Sequence, residues 1–199
     1  RPPRSTLDRS SAASDVYKRQ AEFYGYTADV TRTIPSNGVF SSEQRALYQI
    51  VYDSQEASIK AAEVGNSFRD LYFLSNDIIA EGLMKLGIIK EASEAKKYYP
   101  HGLSHHIGLD VHDPGNYKLL APNMVITIEP GIYIPQGSPC DPKWWNIVIR
   151  IEDDILVTSE GPVNLSADAP RDWSEIEALM REESVLKKFV LPEIETLVK

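Results

Sequence analysis

The stretch His101-Gly102-Leu103-Ser104-His105-His106-Ile107-Gly108-Leu109-Asp110-Val111-His112-Asp113 holds all four histidines of the chain. Gly102 and Gly108 interrupt it, so His101 and His105 are not expected as an i, i+4 pair on a regular helix. A strand-and-loop segment with closely approaching backbone fits better. Neutral imidazole is the commonest metal ligand, and the side chain best placed to move protons near neutral pH. Any one of these histidines read alone could be an ordinary surface residue. Their gathering between positions 101 and 112 marks a reactive segment.

Downstream, Pro122-Asn123 turns into Met124-Val-Ile-Thr-Ile-Glu-Pro-Gly131-Ile-Tyr-Ile134, which reads as one strand. A Pro/Gly-rich excursion over 135–143 leads to a second strand, 146–157, and Gly161-Pro162 turns out of it. Asp172 then caps a helix carrying Ile176, Leu179 and Met180. Upstream, Ser67 opens a helix with Leu71, Leu74, Ile78, Ile79 and Leu83 at helical spacing, closed by Gly87. Ser41 or Ser42 caps an earlier helix running to about Val64, with Ala46, Leu47, Ile50 and Val51 on its apolar side. Before it, 23–34 alternates as a strand, with Thr27, Asp29 and Thr31 on one face and Tyr26, Ala28 and Val30 on the other. Strand, two helices, strands and a helix make an α+β pattern with a mainly antiparallel sheet.

Three strand carboxylates stand out. Asp29 lies on the threonine face of its strand, Glu129 opposite Ile126 and Ile128, and Glu152 opposite Ile147, Ile149 and Ile151. A buried carboxylate must neutralise, pair with a cation or bind a metal. One such residue reads as a solvated face or a salt bridge; three beside a histidine cluster point to a metal. Imidazole with several carboxylates is a hard, oxygen-rich set that favours manganese or a similar divalent ion over a thiolate-type zinc site.

The chain of 199 residues has ordinary globular composition, 42% hydrophobic and 25% charged. Its net charge of −8 and lack of a basic cluster argue against nucleic acid as a partner. Cys140 is the only cysteine, which excludes a disulfide framework and a thiolate metal site. No apolar run approaches a membrane span, so no membrane partner and a cytoplasmic setting are expected. Residues 1–20 are basic and Ser/Ala-rich, without apolar periodicity. They read as a non-native leader outside the fold, ahead of a partial catalytic domain over 21–185 and a C-terminal tail over 186–199.

Four motifs in order carry a family resemblance: Tyr24-Gly-Tyr-Thr-Ala-Asp29-Val-Thr-Arg-Thr33, the histidine stretch, Thr127-Ile-Glu129-Pro-Gly-Ile-Tyr-Ile134, and Ile149-Arg150-Ile-Glu152-Asp-Asp154. Together with the ending Trp173-Ser-Glu-Ile-Glu-Ala-Leu-Met180, they resemble the aminopeptidase P (Xaa-Pro aminopeptidase) family. That family has the pita-bread fold, shared with prolidase, creatinase and methionine aminopeptidase. The resemblance implies a C-terminal fragment of such a catalytic domain, acting with two divalent ions, manganese first and cobalt or zinc as alternatives. By motif position, Asp29 and Glu152 would bridge the ions, with His105 and Glu129 completing the shell of one. His101 would contact the proline side of a substrate, and His112 would stabilise charge developing on the scissile carbonyl. Arg150 would support the ligands or the substrate. The implied chemistry is metal-assisted hydrolysis, with Glu129 shuttling a proton.

The implied substrate is a peptide with proline at its second position, and relatives form homo-oligomers. Prolidase, cleaving Xaa-Pro dipeptides, is the nearest alternative; a non-catalytic pita-bread binding module is another. The sequence departs from the family where a further metal-binding aspartate, in an Asp-Ala-Gly motif, is expected eleven residues before Asp29. Lys18 stands there, and an ammonium beside a dication repels it. This chain is therefore expected to be at best a one-metal binder, whereas the full-length parent is expected to be a dinuclear peptidase.

Overall fold

A computed structural model describes residues 14–19, by their backbone, and residues 21–183. Strand β1 (Ser14–Arg19) leads to β2 (Glu22–Phe23) and β3 (Tyr26–Thr27), then β4 (Val30–Pro35) and the helices α1 (Ser42–Lys60) and α2 (Phe68–Lys85). After the histidine stretch come β5 (Val125–Ile128), β6 (Gly131–Ile134), β7 (Ile147–Arg150), β8 (Asp153–Thr158), β9 (Gly161–Asn164) and α3 (Trp173–Leu179).

Both long helices start where the sequence places them. The Ser41 hydroxyl accepts the Gln44 N–H, and the Gln44 side chain accepts the Ser41 N–H, a reciprocal cap that satisfies two otherwise orphaned donors. Ser67 accepts from Asp70 in the same way at α2. Leu47, Tyr48 and Val51 of α1 and Ile79 and Leu83 of α2 bury their side chains against Ile132, Ile134, Ile147, Ile149 and Ile151. Phe68 and Leu71 join a second cluster with Ile126, Ile128, Ile155 and Val157. The apolar rows expected of the two C-terminal strands therefore form the core, and their other face carries the polar rows.

Each expected long strand is broken, and at the same level. β5 pairs with β8 and β6 with β7, both antiparallel, so the break at Glu129-Pro130 lies opposite the one at Ile151-Glu152. Pro130 has no N–H to give a ladder. The Glu129 N–H turns instead to the Leu103 carbonyl, at 2.8 Å. The ladder is interrupted there, and this level is called the bend: one arm continues as β5–β8–β9 and the other as β6–β7. β4 joins at the bend itself: Thr31 and Glu152 exchange both backbone hydrogen bonds, at 3.3 and 3.1 Å.

The first expected strand is also divided. Tyr24 and Gly25 take positive φ of 51° and 83° and turn β2 into β3, a tight hairpin within what alternation alone reads as one strand. In β4 the threonine face is the buried one: Thr31 and Thr33 are fully buried, whereas Val30 and Ile34 are half-exposed. The backbone of β1 pairs with β4, placing Lys18 in register with Thr31. Part of the stretch read as lying outside the fold thus occupies a sheet position. Residues 1–13, 20 and 184–199, with most of the expected leader and all of the expected tail, lie outside the described residues. Among the described residues, no helix is long and apolar enough to cross a membrane.

Candidate metal centre

The histidine stretch runs along the edge of β5. Ile107 N–H donates to Val125 O, Thr127 N–H to His105 O and Glu129 N–H to Leu103 O, at 3.2, 2.9 and 2.8 Å. This is the expected strand-and-loop segment, and it sets His105 beside Thr127 and Glu129. The His105 N–H donates to the Thr127 hydroxyl at 3.1 Å. Glu152 comes from the bend, and the Thr31 hydroxyl donates to its Oε2. Asp29 comes from the loop between β3 and β4, and its N–H donates to the Asp154 carboxylate, at 3.0 Å to the nearer oxygen.

These elements converge. One ligand atom each from Asp29, His105 and Glu152 lies within 4.8 Å of the other two, with both carboxylates fully buried and the imidazole half-buried. His105 Nε2 is 3.8 Å from Asp29 Oδ2 and 3.3 Å from Glu129 Oε1, so Glu129 adjoins the group through the imidazole. The other ring nitrogen, Nδ1, lies 3.0 Å from the His106 carbonyl oxygen. A carbonyl only accepts, so Nδ1 carries a proton there and Nε2 turns toward the carboxylates. Nε2 facing two carboxylates calls for a proton or a cation between them.

The electrostatics agree. Burial opposes a charge on His105, but Glu129, the His106 carbonyl and then Asp29 outweigh it and hold the imidazole pKa above its usual value. Burial pushes Glu129 upward, and His105, His101 and Arg150 together bring it below the usual carboxylate range. Arg150 is held above its ordinary value: its burial is offset by Tyr133, Glu152 and Glu129. Burial pushes Asp154 up to about 6, with the Asp29 and Asp153 charges adding and the Asp29 N–H opposing. One imidazole and several carboxylates in a buried cluster fit a hard divalent ion such as manganese.

Next to this group a cavity of about 490 Å³ is lined by His101, His105, His112, Tyr117, Glu129 and Arg150. All seven residues singled out from the sequence therefore meet at one place. His101 is held by the Tyr133 hydroxyl, 2.8 Å from its Nε2. His112 stacks edge-on against His105, with ring centroids 4.3 Å apart. His106, not read as a ligand, is buried between Phe68 and Tyr117, its Nε2 3.2 Å from Asn116 O. Gly115 makes this possible, since a Cβ there would come within 2.1 Å of the His106 ring.

Sequence reasoning missed Tyr117, Tyr133 and Asp154. Tyr133 sits on the Glu129 face at period two and could have been found by that spacing. Asp154 was visible as the third acid of Glu152-Asp153-Asp154, but nothing local says that it reaches across to the Asp29 backbone.

Residues 19–159 match the model of metallopeptidase family M24. The chain is 42% identical over 171 residues to the Xaa-Pro aminopeptidase of Escherichia coli K12, covering 80% of this chain and 39% of that protein. It is 41% identical over 163 residues to Xaa-Pro aminopeptidase 3 of Rattus norvegicus, covering 77% and 32%. A mitochondrial relative, intermediate cleaving peptidase 55 of Arabidopsis thaliana, is 40% identical over 162 residues, covering 80% and 33%. Proline aminopeptidase P II from Yersinia pestis superposes with a TM-score of 0.79 at 40% identity, covering 84% of this chain and 42% of that one. A variant of E. coli aminopeptidase P in complex with substrate gives the same TM-score and identity, covering 84% and 41%. The chain thus spans about a third to two fifths of the length of these relatives. With a bent sheet, helices on one face and a carboxylate–histidine cluster on the other, the chain belongs to metallopeptidase family M24 and has its pita-bread fold.

Proposed function

We propose that this chain supplies the metal-ligating part of an Xaa-Pro aminopeptidase, which hydrolyses the bond between an N-terminal residue and a following proline. The observation that carries the proposal is the buried convergence of Asp29, His105 and Glu152, with Glu129 adjoining, against a cavity lined by His101, His112 and Arg150. Asp29, His105 and Glu152, with Glu129 adjoining, would hold the ion, manganese before cobalt or zinc. When bound, it supplies Lewis acidity toward a peptide carbonyl and makes water more acidic.

The chain's own residues do the rest. Glu129 Oε1, 3.3 Å from His105 Nε2 and kept ionised by its cationic neighbours, takes a proton from the water whose oxygen bonds to the carbonyl carbon, and delivers it to the proline nitrogen as the C–N bond breaks. His112, edge-on against His105 and lining the same cavity, can donate to the carbonyl oxygen. His101, fixed by Tyr133, presents its ring to the proline side of the cavity. Arg150 offsets the charge of Glu129 and Glu152. The lysine at position 18, where the family resemblance expects an aspartate, favours a single ion in this chain.

The test is a manganese titration combined with assays on an Xaa-Pro tripeptide and an Xaa-Pro dipeptide. One bound ion, lost in Glu152→Gln, is expected. No manganese bound at neutral pH would overturn the metal reading. Hydrolysis of the dipeptide alone by a protein that contains the remaining length would favour prolidase.

A further inference from the structure

We propose that Arg32 is a positioning residue for the metal centre: its guanidinium fixes Glu152 against the run of chain that carries Asp29. The proposal rests on the reading of Asp29, His105 and Glu152 as metal ligands.

Arg32 sits one residue beyond Thr31, so it projects from β4 on the side away from the ligand cluster. There it uses all five of its N–H donors. Nη1 donates to the Thr31 and Glu152 carbonyls, at 2.9 and 2.8 Å. Those are the two carbonyls of the Thr31–Glu152 bridge, so one nitrogen ties both strands at the bend. Nη2 donates to Asp153 Oδ1 and to Ala169 O, both at 2.7 Å, and Nε donates to Pro170 O at 2.8 Å. The side chain is mostly buried, and that of its partner Asp153 fully so.

This is a mechanical arrangement rather than a charge effect on the metal. Asp29 is three residues before Arg32 on the same run of chain, and Glu152 meets that run at Thr31. The relative placement of the two carboxylates is therefore set by the bridge, by the Thr31 hydroxyl on Glu152 Oε2, and by Arg32 from behind. A planar guanidinium can reach two carbonyls, a carboxylate and a turn at once; an ammonium, with three donors around one atom, cannot. Groups that orient metal ligands without touching the ion change metal affinity about 10- to 100-fold when removed.

The experiment compares the unaltered chain with Arg32→Ala, Arg32→Lys and Leu83→Ala by manganese titration and amide hydrogen exchange, well below every unfolding transition. Leu83 is fully buried in the helix-facing core and serves as a control for stability loss alone. We expect manganese affinity to fall at least tenfold in both Arg32 variants and to stay within twofold in Leu83→Ala. Exchange at the Thr31 and Glu152 amides should quicken in the Arg32 variants beyond any change elsewhere. Unchanged manganese affinity and unchanged exchange at those amides in Arg32→Lys would overturn the proposal, as would an equal affinity loss in Leu83→Ala. If Arg32→Ala does not fold, Arg32→Lys decides. A failure of the unaltered chain to bind manganese would instead overturn the metal reading, and this proposal with it.

Discussion

Glu152 and Asp153 are consecutive, both fully buried and both acidic, yet they serve opposite faces of the same bend. Glu152 faces Asp29 and His105, the other two members of the candidate ligand group. Asp153 faces the helices, where Arg32 at 2.7 Å, the Gln55 amide at 2.9 Å and Arg171 at 3.6 Å surround it. A carboxylate enclosed by cations is part of what holds the fold together. A carboxylate set beside another carboxylate and an imidazole is placed to ligate a divalent ion. The alternation of a single strand step separates stability from chemistry here.

The largest expected effect comes from exchanging the two. Glu152→Gln should weaken manganese binding more than 100-fold while costing the metal-free protein less stability than Asp153→Asn does. A calorimetric melt and a titration on the same sample check both halves. Asp153→Asn should do the reverse, costing about 3–5 kcal/mol of stability by leaving buried cations uncompensated, with a smaller loss of metal affinity. If Asp153→Asn left the melting temperature alone, the contrast between the faces would fail.

Restoring Asp-Ala-Gly at positions 18 to 20 sharpens the site side. Bound manganese should rise from one ion to two per chain, read by elemental analysis after gel filtration. One ion in both versions would mean that the position in register with Thr31 does not govern a second ion.

A gentler effect is expected from pH. Asp154 has a folded pKa of about 6 against 3.8 for the free side chain, so the folded state binds the proton more tightly. Metal-free stability should therefore fall as pH rises from about 4 through 6. His105, with its pKa also raised, adds stability that is full below about 6.5 and lost as pH climbs through the folded value. Saturating manganese should flatten the second limb, since a bound ion takes the proton's place on His105. Denaturant melts across pH, with and without manganese, check this. Smallest of all, Ser41→Ala should cost about 1 kcal/mol and leave manganese affinity unchanged, because the α1 cap lies away from the cluster.

The contrast also shows what a sequence can reveal. Glu129 and Glu152 were legible because each is a polar exception opposite an isoleucine row, Asp29 because it shares the threonine face of an alternating stretch, and His105 because the histidines cluster. The caps at Ser41 and Ser67 were legible because capping is local. The bend was not, since alternation runs unbroken through Glu129-Pro130 and Ile151-Glu152 and only the cross-strand pairing shows that the two breaks coincide. The Tyr24-Gly25 hairpin was hidden because tyrosine is a strand former, and its positive φ is imposed by the turn. Asp154 and Arg32 act on backbone groups more than a hundred residues away, and no local pattern encodes such a partner.

The bend has a kinematic consequence. When one arm of the hairpin tilts against the other, each atom moves in proportion to its distance from the pivot. Ile134 ends its arm four residues beyond Pro130, so with a rise of about 3.3 Å per residue a tilt of about 5° carries it roughly 1 Å. Glu129 and Glu152 sit on the pivot and hardly move. A tilt about this level would therefore displace the far ends of the arms while leaving the spacing between the two carboxylates nearly unchanged.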